Sequence, residues 1–236
     1  QEAFEVSGIR SVYWIADFDR VFKQLMTQVE SIYLNTNEHL RADATVETRE
    51  DRFIKKVKAD FPSHNVRRSA PIMHNIRAIK HDIEIDLMQH ACDITKSGIQ
   101  RLLGFVKPGV WEYEIEAELI HEFMRLRSKG FAYTPIVASG ANACVLHYIE
   151  NDVVCNDGDV LLMDFGSEYA CYASDLSRTI PVNGKFTDRQ KEVYNACLGI
   201  HDEAKNIMSP GMTLNDFNAA VKKMMASALV DIKLID

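Results

Sequence analysis

Two β-prone runs, residues 159–167 and 172–181, constrain the fold of this chain more than any other feature. Both are rich in apolar and β-branched residues, and only a few residues separate them. Strand-like runs at so short a spacing predict a β-hairpin. The chain must therefore contain a sheet that includes this hairpin.

Each predicted strand of the hairpin carries one aspartate. Asp164 lies inside an apolar run, and Asp175 follows it after ten intervening residues. A tight turn near Tyr169 and Ala170 would set the two aspartates directly opposite each other. Opposed residues project from the same face of a hairpin, with Cβ atoms about 4.5–5.5 Å apart. The hairpin therefore predicts a pair of facing carboxylates.

Facing carboxylates need a positive partner. They repel each other, and burial of an unpaired carboxylate costs several kcal/mol. Carboxylate oxygens are hard ligands that suit Mn²⁺, Mg²⁺, Ca²⁺ or Zn²⁺, so the pair predicts a metal site. Two structural alternatives remain open. Asp164 would accept backbone hydrogen bonds at a strand end, and Asp175 would pair with Arg178 at the surface.

His147 precedes this pair in a segment, 143–149, that we predict to be a strand. A histidine in such a strand is usually a hydrogen-bonded core residue. Beside a metal site, an imidazole can instead donate a hydrogen bond to a substrate carbonyl. The residues alone leave both interpretations open.

Patterns of helices and strands predict two regions that meet near residue 70. In the first region, a strand–helix–strand unit and a further helix precede a connector, at 11–15, 16–30, 31–36, 48–61 and 65–77. In the second region, the further predicted helices and strands lie at 81–106, 112–128, 132–138, 188–208 and 214–227. Thr187 with Gln190 forms a capping box, and Thr213 is a further N-cap.

The second region contains a weak internal repeat. Residues 108–124 and 210–225 both begin with Pro-Gly after a predicted long helix, and an acidic-apolar pair and an alanine follow in the same register. This similarity predicts a duplicated helix–turn–helix unit and a pseudo-symmetric domain.

Composition excludes some classes of function. The net charge of -7 over 236 residues argues against nucleic-acid binding. The five cysteines are scattered, which predicts a reduced, cytoplasmic protein. The apolar runs are all shorter than the ~18 residues of a membrane span, so we expect no membrane partner. The chain starts with Gln1 rather than Met, so the sequence leaves open whether an upstream segment, such as a targeting peptide, precedes it.

One long stretch, residues 133–187, resembles the catalytic domain of the aminopeptidase P family of pita-bread metallopeptidases. The motifs that carry the resemblance are LHY around His147, DGDVLLMDFG around Asp164, and SDLSRTIPVNGKFT around Asp175. The segment RAIKHDIEIDLMQHACDIT (77–95) resembles the start of that domain. Elsewhere the similarity is looser.

The resemblance implies an α/β (α+β) fold, with a partial N-terminal α/β domain at 1–70 and the first half of a pseudo-twofold pita-bread domain at 71–236. Two divalent metal ions, usually Mn²⁺, would be held with Asp164 on one ion and Asp175 bridging both. A hydroxide held between the two ions would attack the carbonyl of the peptide bond before proline, and His147 would hydrogen-bond the substrate.

The implied activity is removal of the N-terminal residue from peptides with proline in second position. A prolidase that acts on Xaa-Pro dipeptides is the nearest alternative, and a non-catalytic pita-bread module that binds peptides or proteins is another. Methionine aminopeptidase and creatinase-like enzymes agree less well with the residues around His147. The family's other ligands, a histidine and two glutamates, lie in the second half of its domain. We therefore expect a fragment that is inactive alone, from an enzyme that is a homodimer.

Overall fold

The computed structural model describes residues 2–36 and 46–236, which form two compact units, residues 1–80 and 81–236. The domain boundary near residue 70 stays a prediction. Residues 1 and 37–45 of the predicted first domain lie outside the described part of the chain. Across that described part, no helix is both long enough and apolar enough to cross a membrane.

The first unit pairs helices with a two-stranded parallel sheet. Its elements are α1 (Glu2–Ser7), a 3₁₀ helix (Ile15–Asp17), α2 (Phe18–Met26), β1 (Ser31–Leu34), α3 (Arg49–Asp60), β2 (Asn65–Arg68) and α4 (Ala70–Ala78). The predicted helix at 48–61 is confirmed as α3, whose N-cap is Thr48. The predicted strand at 31–36 is confirmed as β1.

Two predictions for this unit are wrong. Residues 11–15 form no strand, because their β-prone side chains have no neighbouring strand to pair with; Trp14 is 83% exposed. The expected connector at 65–77 is strand β2 followed by helix α4. Asn65–Arg68 pairs in parallel with β1, and only this non-local partner makes the short polar segment a strand.

The second unit packs helices against two three-stranded sheets. Its elements are α5 (Asp82–Phe105), α6 (Glu112–Arg125), β3 (Gly130–Phe131), β4 (Ile136–Ser139), a 3₁₀ helix (Gly140–Cys144), β5 (Val160–Phe165), β6 (Ser167–Tyr169), β7 (Tyr172–Ala173), β8 (Leu176–Pro181), α7 (Asp188–Ile207) and α8 (Leu214–Asp231). One sheet has the order β3-β6-β7 and the other β4-β5-β8. The four predicted long helices are confirmed, as is the Thr187 capping box.

The core of this unit lies between α5, α6 and the sheets. It includes Ile94, Leu102, Ile115, Leu119, Phe123, Val137, Leu161, Met163 and Phe165. Along β5, Leu161, Met163 and Phe165 are buried, whereas the residues between them are only half-buried. Because side chains alternate along a strand, Asp164 points away from this core. An aspartate between Met163 and Phe165 therefore leaves the apolar packing intact.

The hairpin forms, but its register differs from the prediction. Ala170 and Cys171 have φ values of 51° and 68°, so the turn lies one residue later than predicted. Turns with two left-handed residues match the twist of paired strands. The shift pairs Asp164 with Ser177 rather than with Asp175. The two aspartates are diagonal neighbours, so they stay on one face of the hairpin.

The predicted strand at 143–149 is wrong. Residues up to Cys144 form a 3₁₀ helix, and the following segment has no regular structure. His147 has a φ of 56°, which is incompatible with a strand. The apolar residues that suggested a strand are exposed, with Leu146 at 87%. Apolar composition alone cannot make a strand where no neighbouring strand is available.

Candidate metal centre

A pocket of about 370 Å³ collects the three residues that sequence reasoning selected. Its lining consists of Tyr133, Thr134, Ile136, His147, Ile149, Asp164 and Asp175. These residues come from β4, β5 and three connecting segments. The fold therefore brings together residues that are distant in the chain.

The central strand of a sheet positions Asp164. β5 lies between β4 and β8, where Asp164 is opposite Ile136 on one side and Ser177 on the other. Backbone hydrogen bonds on both sides hold the strand, and the buried neighbours of Asp164 anchor its other face. The carboxylate thus projects from a rigid support into the pocket.

A bend in the hairpin positions Asp175, which belongs to no strand. The bend requires Gly166, because a Cβ there would overlap the Ser174 carbonyl oxygen. The buried hydroxyls of Thr95 and Ser174 lie 2.6 Å apart, and each accepts a hydrogen bond from the backbone N–H of Ser167. This network ties the residue before Asp175 to helix α5.

Tyr133 connects the two carboxylates. Its hydroxyl oxygen lies 2.6 Å from Asp164 Oδ1 and 3.1 Å from Asp175 Oδ1. Burial, reinforced by the hydrogen bond to Asp164 and the charge of Asp175, raises the pKa of Tyr133 well above its usual value. The hydroxyl is therefore protonated and supplies one hydrogen for two carboxylates. A cation or a further proton would balance the remaining negative charge.

The chemistry of these oxygens fits a hard divalent cation as part of a ligand set. The set is incomplete within residues 2–36 and 46–236. There, no group of three or more His, Cys, Asp and Glu side chains is placed to hold a metal ion. His147 lines the same pocket but belongs to no such group.

Sequence reasoning did not select two residues that shape this region. Tyr133 begins the stretch that carries the family resemblance, but a tyrosine before a strand has no distinctive signal. Glu112 is fully buried, although it stands at the start of a predicted helix, where an acid is usually a solvated partner of the helix dipole. Only tertiary contacts distinguish these two residues.

Comparison with known proteins agrees with this geometry. A model of the family described as metallopeptidase family M24 matches residues 86–233. The chain belongs to this family. The match includes helices α6, α7 and α8, most of α5, the whole pocket and the bend at Gly166.

Individual relatives extend the similarity over nearly the whole chain. An Xaa-Pro aminopeptidase from Haemophilus influenzae is 34% identical over 228 residues, which are 97% of this chain and 51% of that protein. A rat Xaa-Pro dipeptidase is 34% identical over 170 residues, 70% of this chain and 35% of that protein. This chain therefore spans about half the length, or less, of these curated relatives.

A solved structure shows the same fold. The zinc-substituted Escherichia coli aminopeptidase P in complex with product aligns with a TM-score of 0.86 and 29% identity. The alignment covers 99% of this chain and 53% of that one. The predicted fold class, an α/β region followed by the first half of a pita-bread domain, is confirmed. The duplicated turn geometry in the second unit is consistent with it, since Gly109 and Gly211 share a φ of 91°.

Proposed function

We propose that the protein carrying this chain is a metal-dependent exopeptidase that removes the N-terminal residue from peptides with proline in second position. The observation that carries the proposal is the shared pocket of His147, Asp164 and Asp175. Its support is the family membership and the similarity to Xaa-Pro aminopeptidases over almost the whole chain.

In this proposal, Asp164 and Asp175 are ligands of two divalent metal ions. Such ions polarise a peptide carbonyl and lower the pKa of a bound water when they are in place. Asp164 is held by the sheet, Asp175 by the bend at Gly166, and Tyr133 limits the movement of both carboxylates through its hydroxyl. His147 donates a hydrogen bond to the substrate carbonyl oxygen and stabilises the charge that develops there.

A second candidate is a dipeptidase that cleaves Xaa-Pro dipeptides. The rat Xaa-Pro dipeptidase is similar over 70% of this chain, a smaller share than the 97% that the Haemophilus influenzae Xaa-Pro aminopeptidase covers. The two candidates differ in how they treat chain length beyond proline. Release of the first residue from Xaa-Pro-Xaa tripeptides and longer peptides indicates the aminopeptidase, whereas cleavage of dipeptides alone indicates the dipeptidase.

We further propose Mn²⁺ as the ion, a homodimer as the assembly and the cytoplasm as the location. Manganese and the dimer rest on the family resemblance. The location rests on the five cysteines, which are all free. Metal analysis, sedimentation and cell fractionation of the native protein test these three points.

The metal site is tested by thermal unfolding in the presence of MnCl₂. A ligand that binds only the native state stabilises it, by about 2.7 kcal/mol at a concentration 100 times its dissociation constant. We expect stabilisation of the wild type, much less stabilisation of Asp175→Asn, and a normal response of the control Asp231→Asn, which changes an exposed acid at the end of α8. Equal responses in all three proteins contradict the proposed ligand.

Activity is tested on the longest polypeptide that the source reading frame encodes. Peptides of the type Xaa-Pro-Xaa and matched Xaa-Ala-Xaa peptides are incubated with the enzyme and Mn²⁺, and release of the first amino acid is measured. We expect release only from the proline series, and its loss in Asp164→Asn. Absence of release from both series, despite metal-dependent stabilisation, would favour the non-catalytic peptide-binding alternative.

A further inference from the structure

Glu112 is a fully buried carboxylate whose hydrogen-bond partners all come from one stretch of chain. Its Oε1 accepts from the backbone N–H of Ser139 at 2.7 Å and from Asn142 Nδ2 at 3.4 Å. Its Oε2 accepts from the Tyr148 hydroxyl at 2.7 Å and from the backbone N–H of Val153 at 3.1 Å. The buried carboxylate of Glu112 thus holds the start, the middle and the end of the stretch from Ser139 to Val153.

That stretch begins at Ser139, the last residue of β4, and the segment that follows, residues 140–153, carries His147 and has few buried side chains. Val145, Leu146 and Ile149 are 55%, 87% and 52% exposed. By contrast, Tyr148 is only 6% exposed, and its hydroxyl reaches Glu112. The residue that follows His147 is therefore one of several points at which the segment is anchored to helix α6, together with Asn142, Asn151 and Val153.

A second buried side chain supports the same segment near its end. Asn151 accepts a hydrogen bond from the backbone N–H of Val137 at 2.9 Å and donates to the Pro135 carbonyl at 3.0 Å. These bonds fix the end of the segment to strand β4. The amide nitrogen of Asn151 also donates to Glu116 Oε2 of α6 at 2.9 Å. Next to His147, the segment is held by the buried ring of Tyr148 and by the hydrogen bond from its hydroxyl to Glu112.

A second pair of helices, α7 and α8, shows that a Pro-Gly turn between helices does not need this glutamate. Pro108-Gly109 and Pro210-Gly211 adopt the same turn, closed by Val110 N–H to Lys107 C=O and by Met212 N–H to Ser209 C=O. Counted from each Pro-Gly, the residue equivalent to Glu112 is Leu214, which is 73% exposed. A glutamate at this position is therefore explained by the contacts of residues 140–153 and not by the helix start.

We propose that Glu112 is a positioning residue for His147 and that it acts through the hydroxyl of Tyr148. This inference rests on the proposed function for its kinetic consequence but not for its structural one. Glu112 accepts the Tyr148 hydrogen bond, Tyr148 fixes the backbone next to His147, and the imidazole keeps its place in the pocket beside Asp164 and Asp175. The buried carboxyl of Glu112 and the buried hydroxyl of Tyr148 thus set the position of the exposed His147 side chain.

The first test is the imidazole signal of His147 in ¹H–¹⁵N spectra of the protein, assigned with His147→Ala. We expect Tyr148→Phe, which keeps the buried ring but removes its hydroxyl, to shift or broaden this signal. Glu112→Gln should do the same. Tyr113→Phe removes an exposed hydroxyl from the same helix and is the matched control. An unchanged His147 signal in folded Tyr148→Phe and Glu112→Gln overturns the proposal.

The second test is kinetic and uses the active polypeptide with Xaa-Pro-Xaa peptides. We expect Tyr148→Phe and Glu112→Gln to lower kcat by roughly 10- to 100-fold, by analogy with the loss seen when residues that orient metal ligands are changed. In a His147→Ala background the same substitutions should have almost no further effect, because they act through His147. Full additivity in that background overturns the proposal. Glu112→Asp, which keeps a carboxyl group at this position, should recover part of the loss.

The two tests separate this inference from the proposed function. A wild type that cleaves no Xaa-Pro peptide removes the function, while a shift of the His147 signal in Tyr148→Phe still supports the positioning role. A wild type that cleaves these peptides, combined with an unaffected His147 signal, removes the positioning role alone. Should Glu112→Gln fail to fold, Tyr148→Phe decides both tests.

Discussion

The two helical hairpins of the second unit, α5–α6 and α7–α8, have similar local features but different surroundings. Both join a long helix to a second helix through a Pro-Gly turn with the same backbone conformation. Helices α5 and α6 each bury several residues, whereas the described side chains of α7 and α8 include none that is buried. Local sequence is therefore sufficient to make the helices, but close packing against the rest of the unit decides whether they contribute to a core.

The largest expected difference between the hairpins comes from core truncation. Ile115 is fully buried in α6, and the equivalent residue of α8, counted from the Pro-Gly turn, is the half-buried Phe217. Ile115→Ala should lower the free energy of unfolding by about 2–5 kcal/mol, the usual cost of such a cavity. Phe217→Ala should cost clearly less, although it removes a larger side chain. Urea unfolding of this chain measures both, and equal losses would mean that α8 is packed as tightly as α6.

A smaller difference is expected at two helical glycines. A Cβ on Gly98 of α5 would lie 2.8 Å from Phe123 Cε1 and 3.1 Å from Leu119 Cδ2, whereas nothing lies within 4 Å of one on Gly199 of α7. Gly98→Ala should be destabilising, by up to about 1–3 kcal/mol, because overpacking outweighs the gain in helix propensity. Gly199→Ala should be stabilising by about 0.4–1 kcal/mol.

Thermal unfolding of the two glycine variants checks these opposite signs. Each variant is the control for the other, because both replace a helical glycine with alanine. Stabilisation by both variants would indicate that α5 and α6 separate easily enough to admit a methyl group.

The smallest expected effect is a pH dependence of stability that arises from Glu122 in helix α6. The hydrogen bond from Arg125 lowers the pKa of Glu122 below its usual value, although burial opposes this. A lowered pKa stabilises the folded state above the unfolded pKa, close to the ordinary value of 4.5, and the stabilisation is lost as pH falls through the folded pKa. The advantage of wild type over Glu122→Gln should therefore be constant from pH 7 to about pH 5 and shrink below that.

Urea unfolding at a series of pH values measures this difference. Glu203→Gln, at an exposed position of α7, is the matched control and should show a much smaller pH-dependent difference. An advantage of wild type that grows as the solution becomes more acidic would contradict the assigned direction of the shift.

The proposed site residues lie close together, although the details of the sheet around them differ from the prediction. Asp164 and Asp175 were selected from residue type and spacing and His147 from the family resemblance, and all three line one pocket. The predicted register of the β-hairpin was wrong because its turn lies one residue later than expected. Ala and Cys give no strong signal for the left-handed conformation that Ala170 and Cys171 adopt. Moving the turn by one residue moves the partner of Asp164 by two residues, from Asp175 to Ser177. Because side chains alternate between faces along a strand, Asp164 and Asp175 stay on the same face.

The sequence by itself determined the long helices and the presence of an acidic pair in an apolar hairpin. Helical periodicity, the capping threonines and the Pro-Gly turns depend on residues a few positions apart, so they can be read directly. Tertiary structure alone decided that β2 is a strand, that 143–149 is not, and that Glu112 is buried under the segment of His147. These outcomes depend on hydrogen-bond partners tens of residues away, which local preferences do not encode.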